Sequence, residues 1–202
     1  MRHFEDTSLP LSPIPHWLTA FLIGGALMAA LALGMGLMLS PRGLEQWFAE
    51  NGPVEYLQAG MVLIASAIFA YLASRSRRML FALALVAASL LFIAALRETP
   101  RCGSDYYPGG LCLEGSWKHG ATALAALLIP IGISFRWREI RAGFSFSAIL
   151  SFWPLGLSAL ILAPAELSEK FGWVAFEEIL ELISYLLALS FALVLLGKPT
   201  EE

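Results

Sequence analysis

Long apolar runs alternate with short polar stretches along this chain, and that pattern predicts helices that cross a membrane. Six runs stand out, at residues 17–39, 54–73, 79–96, 119–135, 144–162 and 176–196. Several approach or exceed the ~20 residues needed to traverse the hydrocarbon layer; the fourth is short and contains Pro130. The first run differs from a secretory leader: Glu5 and Asp6 precede it, it is too long, and no small-residue cleavage site closes it. It reads as a retained helix, with Gly24, Gly25, Gly34 and Gly36 allowing close helix packing.

The intervening stretches carry their own signals. Residues 40–53 are polar, and Trp47 and Phe48 suit a short interfacial helix facing lipid. Asn51 is expected to cap the second span, with Pro53 in its first turn. Residues 74–78 and 136–141 read as basic turns, residues 97–118 as the longest loop, and residues 163–173 as a short turn. Pro154 predicts a kink in the fifth span. The expected fold is all-α: a polytopic integral membrane protein with six transmembrane helices in a single bundle over residues 1–202, both termini on one side. No loop is long enough for a second domain, and no repeat, heptad or phosphate-binding loop occurs.

Composition agrees with this class. The chain is 58% hydrophobic and only 14% charged, where a soluble domain carries roughly a quarter charged residues. Its formal charge of −3 and the lack of a basic stripe give no electrostatic case for nucleic acid.

Charge sets the orientation. Arg75, Arg77, Arg78, Arg136, Arg138 and Arg141, with Arg2 and Lys198, fall on the side of the termini. Arg42, Arg97, Arg101, Lys118 and Lys170 fall opposite. The positive-inside bias puts the first group, and both termini, in the cytoplasm. The compartment expected is a bacterial inner (plasma) membrane. Cys102 and Cys112, the only cysteines, then share a periplasmic or extracellular loop, where a disulfide persists. With no Cys-x-x-Cys, that bond is expected to fix the loop rather than to exchange electrons.

The same topology brings separated polar residues to one depth. Glu55, Tyr56 and Gln58 open the second span, Arg97 and Glu98 close the third, and Lys118 and His119 open the fourth. Glu177, Glu178 and Glu181 begin the sixth. Glu178, Glu181 and Tyr185 lie three and four residues apart, on one helical face. Glu181 falls inside the hydrocarbon boundary, so it is expected to point into the bundle and pair. Arg97 is the natural counter-charge, because a guanidinium grips a carboxylate bidentately.

Three chemistries suit such a cluster. His119 with Glu55, Glu98, Glu178 and Glu181 offers donors for a divalent metal, although no paired-histidine motif supports one. Glu55, Glu178, Glu181, His119 and Arg97 form a candidate catalytic set for acid–base work on a lipid or lipid phosphate. Glu55 and Glu181 offer sites for a proton or cationic ligand in transport. The reading adopted is a structural or accessory subunit of a membrane complex. The alternatives are a membrane enzyme of hydrolase or transferase type acting on a lipid substrate, and a transporter or ion-binding protein. Expected partners are the bilayer, a lipid or its headgroup, and a membrane protein or second copy.

Overall fold

The computed structural model describes Phe48 and residues 52–103, 111–171 and 173–197. These residues form seven helices: α1 Pro53–Arg75, α2 Arg78–Glu98, α3 Gly115–Phe135, α4 Trp137–Ala142, α5 Phe146–Ser151, α6 Trp153–Lys170 and α7 Val174–Leu196. The all-α expectation holds, but six spans do not. Among the described residues, four helices have the length and apolar character to cross a membrane: α1, α2, α3 and Phe176–Leu196 of α7.

The expected fifth span is where the count fails. Its helix breaks at Phe152, which caps α5, and restarts at Trp153 with Pro154 in the new first turn. The apolar part that follows, Trp153–Ser168, is a shorter helix. The kink expected at Pro154 is thus a full interruption. α6 also runs on through residues 163–170, expected as a turn, and so carries Glu166 within a helix. The basic stretch after α3 likewise winds into a helix of its own, α4.

The expected first span, residues 17–39, and the Asn51 cap lie outside the described residues. Gly52 precedes α1, and Pro53 takes the first helical position as expected. Phe48, expected to face lipid, is buried.

α1 and α2 form an antiparallel hairpin, α7 packs against α1 and α6, and α2 also carries α3. Small residues line these contacts. Ala65, Ala73, Ala84, Ala87, Ala88 and Ala192 are all buried, and they let helix backbones approach closely. Between them sits an aromatic knot: Phe69 meets Phe152 and Phe191 at centroid distances of 6.3 and 6.1 Å. Phe152 and Phe191 meet edge to face at 5.5 Å.

Buried hydroxyls tie the helices as well. Ser66 Oγ donates to the Ala88 carbonyl at 2.8 Å. The Ser158 and Ser184 hydroxyls lie 2.7 Å apart, joining α6 to α7.

Chain direction gives the bundle two unlike ends. At one end lie the α1–α2 turn and α4, where Arg136 donates to the Ser76 carbonyl at 3.1 Å and stacks over Phe81 at 4.4 Å. Gly143 is needed there, because a Cβ would stand 2.5 Å from Arg78 Cδ. The other end holds the start of α1, the end of α2, the starts of α3 and α7 and the end of α6. The Cys102 and Cys112 sulfurs are at bonding distance at this end, with Cα atoms 5.0 Å apart. Cys102 N–H donates to the Leu113 carbonyl and Leu113 N–H to the Pro100 carbonyl, at 3.0 and 2.8 Å. The disulfide therefore ties the end of α2 to the start of α3, beside a parallel bridge between Arg101 and Leu113.

Candidate functional site

The acid end is built around one guanidinium. Arg97 occupies the last turn of α2, where a cation also suits the helix dipole. Its Nη2 donates to Glu181 Oε1 at 3.0 Å, and its Nη1 pairs with Glu166 Oε1. Glu177 Oε1 lies 4.0 Å from Nη2, and Glu98 Oε1 lies 3.9 Å from Nε. One side chain thus draws together carboxylates from α2, α6 and α7. Glu181 and Glu98 are deeply buried in this arrangement, whereas Glu166 is half exposed.

Around that hub each acid has a distinct setting. Tyr185 Oη donates to Glu98 Oε1 at 2.7 Å, linking α7 to α2. Glu178 turns toward α1, where Gln58 Nε2 donates to its main-chain carbonyl at 2.9 Å. Gln58 is fully buried, and among the described residues neither its Oε1 nor Glu178 Oε2 has a hydrogen-bond partner. Lys118 reaches from α3 to the Thr99 carbonyl at 2.5 Å and the Arg97 carbonyl at 3.3 Å. Glu55 and Glu98 both attract it.

The expected residues are therefore only partly assembled. Arg97, Glu98, Glu177 and Glu181 meet directly, and Glu178 and Glu55 lie within electrostatic reach. His119 does not join them. It is exposed on α3, because Lys118, one residue earlier, takes the inward position. Among the described residues, no group of three or more His, Cys, Asp or Glu is arranged to hold a metal ion.

Glu166 is the member that sequence reasoning missed. The signal was present as an i to i+4 relation with Lys170 on a continuing helix, but Pro164 and the nearby charges read as a turn.

Chemically, the cluster is a set of acids locked by one shared cation, with two acceptor oxygens at the α1–α7 contact that have no partner among the described residues. Ser184, Leu187 and Ala188 are buried below Glu181, followed by the aromatic knot. No protein-family model, no curated protein and no solved structure matches the chain.

Proposed function

We propose that this chain is a multi-span membrane protein and serves as a structural or accessory subunit, with the Arg97 cluster acting as a lock on the outer helix ends. The observation that carries this reading is the sharing of one guanidinium among carboxylates of α2, α6 and α7. Paired acids above a layer of buried apolar side chains suit a clamp better than a conduit. The exposed His119 leaves the acids without the imidazole that the enzyme reading requires.

The membrane setting rests on several features together. α1 and α7 are each 23 residues long, which is about 34 Å of helix against a hydrocarbon layer of ~30 Å. Exposed aromatics gather at both ends, Trp117, Phe171, Trp173 and Phe176 at one and Phe135, Trp137, Phe144 and Phe146 at the other, as interfacial belts do.

Arg75, Arg77, Arg138 and Arg141 orient the basic end toward the cytoplasm. The disulfide end then faces the oxidising side. In intact cells, a membrane-impermeant reductant followed by an impermeant maleimide is expected to label Cys102 and Cys112. Labelling that appears only after lysis would reverse this orientation.

The lock itself is tested at Glu181. Changing Glu181→Gln keeps the shape but removes the charge facing Arg97 Nη2. A structural acid is expected to lose about 1–2 kcal/mol of stability, as a charged hydrogen bond becomes a neutral one. A residue kept for chemistry at the expense of stability gives the opposite result, unchanged or higher stability. Thermal unfolding in mild detergent separates the two.

A further inference from the structure

Beside the acid cluster, an open apolar cleft of about 520 Å³ runs between α1, α2 and α3. Gly60 and Leu63 line it from α1, Phe92 and Ala95 from α2, Leu113 and Trp117 from the disulfide-closed connection and the start of α3. Among the described residues the Gly60 wall is open: a Cβ built there meets nothing within 4 Å. From the level of Thr99 down to Phe92 the cleft is about 10 Å long, at ~1.5 Å of rise per helical residue.

Two cations neighbour its upper lining without lining it themselves: Lys118 donates to the Thr99 carbonyl, and Arg101 is next to Leu113. The Arg101 backbone bridges to Leu113, and its guanidinium lies against Gly115, where a Cβ would be 3.0 Å from Nε and Nη2. Arg101 is exposed and makes no ion pair among the described residues, Glu114 included. Lys118 lies close enough for Arg101 to repel it. Its ammonium, which has three N–H donors, spends two on the Thr99 and Arg97 carbonyls. Glu55 and Glu98 attract Lys118, which leaves Arg101, among the described residues, as the cation there without an ion pair.

We propose that this cleft binds one anionic phospholipid, its phosphate on Arg101 with help from Lys118 and the upper part of one acyl chain between α1, α2 and α3. The proposal rests on the membrane reading above. Both halves of the site match that ligand. An apolar groove at membrane depth is filled by acyl chain rather than water, and a phosphate offsets the repulsion between two adjacent cations. Trp117, at the rim, is 72% exposed, where an indole suits the headgroup level.

The test is native mass spectrometry of the purified full chain, mixed with palmitoyl-oleoyl phosphatidylglycerol or with phosphatidylcholine of the same chains. One phosphatidylglycerol is expected to be retained in preference. Arg101→Glu, a surface change, is expected to lower its retention by about tenfold. Gly60→Phe, which fills the cleft, is expected to abolish it, and Leu160→Phe on an exposed flank elsewhere is expected to leave it intact. Equal retention of both lipids with indifference to Arg101→Glu would overturn the proposal. Equal retention of oleate, which lacks the phosphate, would overturn it too, as would a co-purified protein chain crosslinking to residue 60. Carbonate extraction of cell membranes reports separately on the membrane reading: a chain that stays in the pellet yet retains no lipid rejects the cleft alone.

Discussion

Replacing Arg97 by alanine is expected to destabilise the protein by about 2 kcal/mol, below the range for breaking a fully buried ion pair. The guanidinium is itself 45% exposed, while two of the acids it would strand are buried. The figure is set by which partners are stranded. Glu166 is half exposed, and losing its pair costs little, since water re-solvates it. Glu181 and Glu98 have side chains 3% and 5% exposed. Without the guanidinium they remain buried near Glu177 and Glu178, among like charges. Arg97→Lys restores one charge but not the planar fork that reaches Glu166 and Glu181 from different nitrogens. It is therefore expected to recover only part of the loss. Denaturant titration in mild detergent measures both variants. If Arg97→Ala unfolded at the wild-type midpoint, the guanidinium would not hold the helix ends, and the lock would have no physical basis.

The cluster was legible in the sequence to the extent that depth and helical spacing determine it. Glu181 had to face inward because a carboxylate at that depth is costly in lipid. Tyr185, four residues on, had to share its face, and that face meets Glu98. Arg97 followed as the cation at the same level. What spacing could not supply was the path of the chain between elements. Residues 163–170 hold a proline and several charges, the usual marks of a turn, yet α6 continues through them and delivers Glu166 to Arg97. His119 and Lys118 are neighbours at a helix start, and only packing decides which of them turns inward. Pro154 was visible as a breaker, but whether it bends a span or ends one depends on Phe152, which leaves the helix to fill the space between Phe69 and Phe191. A period of 3.6 residues reports a face, not the tertiary contact that interrupts it.

That same aromatic contact gives the second large effect: Phe69→Ala is expected to cost about 3 kcal/mol. Phe69 is fully buried, and it is the α1 member of a knot whose other rings come from the α5–α6 junction and from α7. Around it lie Ala65, Ala73, Ala87 and Ala88. These alanine side chains are too short to refill the vacated space themselves. On the proposed membrane reading the separated helices already sit in an apolar solvent, and the transfer of the ring from water contributes little. What remains is the lost dispersion contact and the empty volume, which is why the expected value falls at the bottom of the range for such truncations in soluble cores. Phe69→Leu, which refills most of the volume, is expected to lose less than half as much. Exposed Leu160 is the control: Leu160→Ala removes an apolar side chain from the outer surface and is expected to change stability by roughly 0.5 kcal/mol or less. Unfolding midpoints in one detergent rank the three variants. An equal cost at residues 69 and 160 would mean that the rings do not pack as a knot, and that the break at Phe152 has some other cause.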